Sequence, residues 1–192
     1  TTIIVSVYTV AGSLLMLIAI LYLGVAYYSE FGTWSFAYDK LMTISTLDYS
    51  TKAWLFLAFL AAFAIKIPIF PLHTWIMETY KNAPTGAVFL LSSIMAKLGV
   101  YAIVRFMIPI FPDIYVEFST WFVAIGLFGL IYFGIAALMQ DDIKRMFAYS
   151  SASHLSFISA GIFSLNAYGI NGALYLIIAH AIATGALFLL VD

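Results

Sequence analysis

The sequence contains no cysteine and very few charged side chains. None of its 192 residues is a cysteine, which excludes disulfides, thiolate metal sites and iron–sulfur ligation by this chain. Lys, Arg, Asp and Glu together make up only 9% of the residues, against 65% hydrophobic residues. The mean hydropathy is +1.07. This composition is typical of an integral membrane protein and excludes a soluble domain.

Histidine is also scarce, and the common metal and nucleotide motifs are missing. The three histidines, His73, His154 and His180, lie too far apart in sequence for a zinc site of the HExxH type. No glycine-rich nucleotide fingerprint occurs, and the net charge of −1 indicates no particular partner. We therefore expect no metal site, no cofactor and no nucleic-acid partner for this chain. Any redox chemistry would have to take place in another polypeptide.

Long apolar runs are what the sequence does contain. A helix needs about 20 apolar residues to cross about 30 Å of hydrocarbon, and such runs recur along the chain. We predict an all-α integral membrane protein, a transmembrane bundle of about six spans in the lipid bilayer with one discontinuous helix. The predicted spans are residues 2–28, 52–81, 84–108, 118–139, 143–164 and 168–191. Residues 29–51 indicate an aqueous connection with a short interfacial helix.

The second predicted span is unusual because a lysine and two prolines interrupt its middle. Pro68 and Pro71 each lack an N–H and clash with the carbonyl four residues back, so we expect a break near residues 66–71. Lys66 lies at that break, and a lysine at the bilayer centre costs roughly 2.5–3.5 kcal/mol. A broken helix and a buried lysine are both costly in a membrane, and their occurrence at the same depth favours a functional site. The alternative is a kinked helix whose lysine snorkels to the surface.

Three further titratable side chains, Lys97, His154 and His180, lie near the middle of their predicted spans. With Lys66 they predict one layer of titratable groups in the membrane, the pattern expected of a lateral proton relay. The alternatives are packing histidines, or a polar layer that only holds the helices together. Supporting polar side chains lie at helical spacing from these residues or within the broken span: His73, Ser93, Tyr101, Ser150, Ser151 and Thr184.

The predicted spans hold no buried acid that could neutralise Lys66 and Lys97. A nearby carboxylate would favour the charged lysine, whereas burial alone would oppose it. We therefore expect the acid to come from a helix outside this sequence. The chain starts at Thr1 without a methionine and stops at Asp192 after an apolar run. We interpret residues 1–192 as a single transmembrane segment of a larger subunit.

Blocks of sequence in a fixed order resemble a known family. The blocks are KIPIFPLHTW followed by NAPT, LSSIMAKLGVYAIVRF with IPIFPD, DDIKRMFAYSSASHLSF, and LIIAHAIATGALF. From about Lys52 to Asp192 they resemble the antiporter-like subunits of respiratory complex I. In that resemblance Lys66 matches the lysine of a broken helix, which pairs with a glutamate on an earlier helix. Lys97 matches the connecting lysine, and His154 and His180 match the central-axis histidines.

The resemblance implies a proton-translocating membrane subunit of an NADH:quinone oxidoreductase. Such a subunit would carry no redox centre and bind no NADH, since FMN, iron–sulfur clusters, NADH and quinone belong to other subunits of the complex. Its partners would be other membrane subunits. The expected location is a bacterial inner membrane, with an organellar membrane as the alternative. The alternative function is a subunit of a multisubunit sodium/proton antiporter or of a membrane-bound hydrogenase, because these share the same blocks.

Overall fold

The computed structural model describes residues 2–191, and helices make up most of that range. Thr1 and Asp192, the two ends of the predicted segment, lie outside the described residues. No β-strand occurs between residues 2 and 191. The α-helices are α1 Thr2–Phe31, α2 Tyr38–Leu41, α3 Tyr49–Lys66, α4 Thr74–Asn82, α5 Thr85–Leu90, α6 Ala96–Ala102, α7 Ile108–Ile110, α8 Pro112–Leu138, α9 Ile143–Ile162 and α10 Ala167–Leu190.

Five helical stretches are long and apolar enough to cross a membrane. They are Ile3–Phe31, Tyr49–Lys66, Thr85–Ile110, Pro112–Leu138 and Ala167–Leu190. The prediction of an all-α membrane bundle is therefore confirmed. The predicted span 143–164 forms α9, which is 20 residues long but is not among the five. Its serines lower its apolar character, and most of them are buried in the bundle.

The second span is discontinuous, as predicted. Helix α3 ends at Lys66, and helical structure resumes with α4 at Thr74. Pro68 and Pro71 lie between the two helices and explain the interruption, because neither can donate a backbone hydrogen bond. Lys66 is consequently the last residue of a helix end that lies inside the bundle.

The connection between α1 and α3 contains the predicted short helix, the single turn α2. At its far end Asp48 caps α3 by accepting a hydrogen bond from the Thr51 N–H at 3.3 Å. Hydrogen bonding from Thr51 holds the pKa of the Asp48 carboxyl below its usual value. A capping carboxylate at this helix N-terminus fixes where the first half of the broken span begins.

The third span is one continuous rod whose hydrogen-bonding pattern changes twice. π-helical turns at Leu91–Met95 and Ile103–Met107 separate α5, α6 and α7. In the first π-turn the Ala96 N–H bonds five residues back to the Leu91 carbonyl. Single π-turns within α-helices are rare and are often found at functional sites.

Helices α8, α9 and α10 pack side by side, with α9 in the middle. Small residues allow the close approach of α8 and α9. A Cβ atom added at Gly126 would lie 2.8 Å from the Ser156 carbonyl oxygen, and one at Gly129 would lie 2.6 Å from the Ser156 Oγ. Close packing through small residues is how membrane helices associate without a hydrophobic driving force. It holds α9, with His154, firmly against its neighbours.

Candidate functional site

Lys97 is buried in the third span, with only 7% of its surface exposed. Its Nζ donates to the Ser92 carbonyl, which belongs to the first π-turn, and it lies 3.5 Å from the Thr184 Oγ1 of α10. Helical side chains lean toward the N-terminus, so the lysine head group lies beside the turn before its own Cα. Lys97 therefore joins the third span to α10 through polar contacts.

His180 and His154 continue this polar contact from α10 to α9. The Thr184 Oγ1 donates to the His180 carbonyl at 2.6 Å, and the rings of His180 and His154 have centroids 5.1 Å apart. His180 is 6% exposed, whereas His154 lies on an exposed part of α9. The Nε2 atom of His180 is buried and has no hydrogen-bond partner within residues 2–191. The two imidazole rings are therefore neighbours where α10 packs against α9.

Lys66 lies beside the same region but is not in direct contact with the histidines in any described interaction. It is half-buried and lines a cavity of about 350 Å³ between α1, α3 and the third span, with apolar neighbours such as Phe63 and Phe106. Gly99 allows the third span to approach this point. A Cβ atom there would lie 3.2 Å from the Lys66 Cβ. Lys66 and Lys97 are therefore on neighbouring helices that cross near Gly99.

The supporting polar residues differ in their surroundings. Thr184 lies within the Lys97 contact, while the Ser93 Oγ donates to the Phe89 carbonyl of its own helix at 2.5 Å. Ser150 lies one helical turn before His154 and is half-buried. The Ser151 Oγ is buried without a described hydrogen bond. Tyr101 is 55% exposed and meets the edge of the Phe106 ring. It does not share the buried environment of Lys97.

His73 lies in an aromatic environment just after the proline break. Its ring centroid is 4.7 Å from that of Phe133 and 5.7 Å from that of Phe70, and the side chain is 7% exposed. The Tyr132 ring is the third neighbour, with its centroid 5.9 Å from that of His73. The ring contacts of His73 are therefore with aromatic side chains, and they lie apart from the Lys97 and His180 contacts.

Sequence reasoning assigned no role to Trp75, and it did not pair Glu78 with Arg145. The Trp75 indole N–H donates to the Ile65 carbonyl at 3.0 Å, across the break. The Arg145 guanidinium at the start of α9 pairs with the Glu78 carboxylate on α4. The prolines could have indicated the Trp75 contact, because a break in the helix leaves backbone carbonyls that need other hydrogen-bond donors. The second contact joins distant parts of the chain, and no spacing rule indicates it.

The described residues hold no group of three or more His, Asp or Glu side chains placed to bind a metal ion. The site consists instead of two lysines, two histidines and a threonine hydroxyl contributed by α3, the third span, α9 and α10. Lysine and imidazole groups exchange protons, and a hydroxyl both donates and accepts a hydrogen bond. The arrangement is suited to proton transfer, and no residue in it is arranged as a nucleophile with its base.

Comparison with known proteins identifies the family. The family described as NADH:quinone oxidoreductase/Mrp antiporter, transmembrane, matches residues 1–192. The chain is 37% identical over 186 residues to the NADH-ubiquinone oxidoreductase chain 4 of Marchantia polymorpha. It is 36% identical over 184 residues to the NADH-quinone oxidoreductase subunit M of Escherichia coli strain K12. Each alignment covers 96% of this chain and 36% of the relative, so the chain spans about a third of these relatives.

Solved structures show the same fold. One is the respiratory complex I from Thermus thermophilus with bound NADH, at a TM-score of 0.86 and 34% identity, covering 97% of this chain and 39% of that one. The Mrp complex from Dietzia sp. DQ12-45-1b has a TM-score of 0.78 at 24% identity, a likeness of fold alone, covering 97% of this chain and 20% of that one. The resemblance drawn from the sequence blocks is thereby confirmed, and the chain belongs to the NADH:quinone oxidoreductase/Mrp antiporter transmembrane family.

Proposed function

We propose that this chain is part of a proton-translocating membrane subunit of an NADH:quinone oxidoreductase, of the type called subunit M or chain 4 in its relatives. Lys66, Lys97, His154 and His180 carry the proton. The observation that supports this most strongly is the run of contacts that joins three helices. It leads from the Lys97 Nζ to the Thr184 hydroxyl and the His180 backbone carbonyl, and the His180 ring lies beside that of His154. Titratable residues inside a membrane bundle normally mark such paths.

The chemistry of the path follows from its members. A lysine ammonium donates a proton, and a neutral imidazole accepts one on one nitrogen while releasing one from the other. The Thr184 hydroxyl accepts from the Lys97 Nζ and donates to the backbone carbonyl of His180. Protons then pass sideways from helix to helix, parallel to the membrane plane.

Lys66 is the gated carrier in this proposal. Its half-buried position beside an apolar cavity leaves its charge sensitive to any group that approaches it. Moving one charge across 100 mV requires about 2.3 kcal/mol. One pKa unit is worth about 1.36 kcal/mol. A change of roughly two units in the pKa of a carrier therefore suffices to take up a proton and release it against such a potential.

The redox chemistry that drives this movement belongs to other subunits. We place FMN, the iron–sulfur clusters, NADH and the quinone there, with no redox centre and no NADH contact in this chain. Its partners are the neighbouring membrane subunits and the lipids. We place the complex in the inner membrane of a bacterium. The relatives named subunit M come from bacteria, which supports this location, although plant chain 4 proteins are similarly related.

The substitution Lys66→Ala tests the proposed function. We expect proton pumping to fall sharply, by about tenfold or more, because the carrier group is gone, while the complex still assembles. The measurement is the rate of acidification of membrane vesicles during NADH oxidation, with the amount of assembled complex determined in parallel. Lys40→Ala is the matched control, since Lys40 is exposed in the connection before α3. Normal pumping by an assembled Lys66→Ala complex would contradict the proposal.

A second candidate is a subunit of a multisubunit sodium/proton antiporter. The family description includes Mrp antiporters, and the Dietzia Mrp complex shares the fold. The polypeptides that copurify with the full-length chain separate the two candidates. Flavin and iron–sulfur subunits would support the oxidoreductase, whereas sodium-dependent proton exchange without them would support the antiporter. Transport unaffected by neutral replacement of both Lys66 and Lys97 would support a scaffold instead.

A further inference from the structure

The break in the second span deprives several backbone carbonyls of their normal helical partners, and that of Ile65 is one of them. In a continuous α-helix the Ile65 carbonyl would accept from the N–H of Ile69. Here the Ile69 N–H bonds to the Ala64 carbonyl at 3.0 Å instead. The Ile65 carbonyl immediately precedes Lys66, so an unoccupied acceptor here would lie in the peptide unit next to the lysine. Such a group is costly inside a membrane bundle.

Trp75 hydrogen-bonds to this carbonyl. Its indole N–H donates to the Ile65 oxygen at 3.0 Å, and the side chain is 6% exposed. The hydrogen bond joins the end of α3 to the first turn of α4, across the proline break. An indole N–H only donates, so it satisfies the carbonyl without adding an acceptor that could hold a proton.

Trp75 is itself held by a well-anchored helix. The Thr79 Oγ1 donates to the Trp75 carbonyl at 2.5 Å, and Tyr8 of α1 hydrogen-bonds to Thr74 at 3.1 Å. One turn later Tyr80 is 1% exposed and meets the Phe188 ring of α10 edge to face. The α4 helix is therefore fixed against α1 and α10. The hydrogen bond from Trp75 to the Ile65 carbonyl therefore fixes the end of α3 relative to α4.

We propose that Trp75 is a positioning residue for Lys66. Its indole N–H hydrogen-bonds to the Ile65 carbonyl and thereby fixes the end of α3, whose last residue is Lys66, relative to α4. This inference rests on the proposed role of Lys66 as a proton carrier. The contrasting interpretation is that Trp75 only fills space in the core. The two differ in whether the N–H group itself matters.

The test replaces the N–H and leaves the ring in place. Benzothienylalanine has the shape of tryptophan with sulfur in place of the N–H, and we would incorporate it at position 75 of the full-length chain. The measured quantity is the number of protons translocated per NADH oxidised by the assembled complex in membrane vesicles. We expect a loss of translocated protons per NADH with unchanged assembly, because a displaced Lys66 takes up protons less often while NADH oxidation continues in the other subunits. Trp75→Phe is the simpler second variant.

Matched variants distinguish the outcomes. The same replacement at Trp121, which is 70% exposed on α8, should leave the ratio unchanged. An unchanged ratio at position 75 would overturn the inference, and so would an equal loss at positions 75 and 121. A parallel fall in assembly and electron transfer with an unchanged ratio would show that Trp75 is a packing residue only. If Lys66→Ala abolishes pumping while the position-75 variant pumps normally, the proposed function stands and only this inference fails.

Discussion

Lys97 takes its polar partners from two helices, the Ser92 carbonyl of its own span and the Thr184 hydroxyl of α10. Hydrogen bonds to an ammonium group favour its charged form, whereas burial opposes it. Both helices therefore contribute to holding the Lys97 head group in place. A side chain that bridges helices also responds to any change in their separation.

Thr184→Val tests the contribution of the hydroxyl to proton transfer. The valine keeps the shape but leaves Lys97 with one polar partner fewer, so we expect pumping to fall by about two- to tenfold. Thr184→Ser should retain most of the activity because it keeps the hydroxyl. The measurement is vesicle acidification normalised to the amount of complex. Thr9→Val is the control, since the Thr9 Oγ1 donates within α1 to the Val5 carbonyl. Full pumping by Thr184→Val would argue against the contact.

The sequence allowed the titratable residues to be singled out, but not how they meet. Lys97 and His180 stand out because charged or polar groups are rare in apolar runs. The contact between Lys97 and Thr184 joins residues 87 positions apart, so no helical spacing predicts it. Ser93 and Tyr101 both lie at helical spacing from Lys97, yet Tyr101 does not share its surroundings. The reason is that α10 packs beside the earlier part of the third span and Tyr101 lies beyond it.

The pairing of α8 with α9 depends on glycines whose missing side chains leave room for backbone. Gly126 faces the Ser156 carbonyl oxygen, and backbone atoms cannot move aside as a flexible side chain can. Gly134 lies on the same helix, but a Cβ atom there would meet only the Ser153 Oγ, at 3.7 Å. The two positions therefore provide a comparison within one interface.

Gly126→Ala should destabilise the full-length protein by about 1–3 kcal/mol, the usual cost of overpacking. Gly134→Ala should be neutral or slightly stabilising, because alanine has the higher helix propensity and the added methyl group finds ordinary van der Waals space. Thermal unfolding in detergent, followed by the loss of monodisperse protein, measures both. Equal melting temperatures for the two variants would contradict the packing described for α8 and α9.

Helix limits were predictable where composition changes sharply and less so where a charged residue belongs to a helix. Helix α8 begins at Pro112, before the predicted start at residue 118. Proline at the first helical position and Asp113 in the first turn both favour a helix N-terminus here. The π-turns carry no sequence signal, because they depend on the contacts that the rod makes along its length.

Across the whole molecule, one ion pair connects the second half of the broken span to the helix that carries His154. Arg145 pairs with Glu78, and Asp142 caps α9 by accepting from the Arg145 N–H at 2.9 Å. The paired side chains are 34% and 43% exposed. Screening by solvent therefore limits the contribution of the pair to stability. Its larger effect is to fix the relative positions of α4 and α9.

Exchanging the two charges tests this connection. Glu78→Arg and Arg145→Glu should each lower stability by about 1 kcal/mol, and the double variant should recover part of the loss, since the pair is restored in reverse. A double-mutant cycle on the melting temperature of the full-length protein measures the coupling. The control is the exchange of Lys52 and Asp113, whose atoms lie 3.9 Å apart with Asp113 79% exposed. Strictly additive effects for Glu78 and Arg145 would contradict the connection.

The overall bundle was predictable because long apolar runs determine which segments cross the membrane. The arrangement of the runs in space was not, since it depends on contacts between distant residues such as Glu78 and Arg145. Helix α9 illustrates both cases. It was predicted as a span at residues 143–164, but its serines and its charged start keep it out of the five stretches that are apolar enough to cross a membrane. The bundle nevertheless packs α8 and α10 against it.

The third span changes neighbours halfway along its length. Its first part lies against α10, its later part lies against α3, and the π-turn at Leu91–Met95 lies at the end of the first part. A π-turn departs from regular α-helical hydrogen bonding and is a common site of bending. If α3 slides relative to α10, the displacement is absorbed at this turn. Because the Ser92 carbonyl of this turn accepts from the Lys97 Nζ, such a bend would change the surroundings of a single charge.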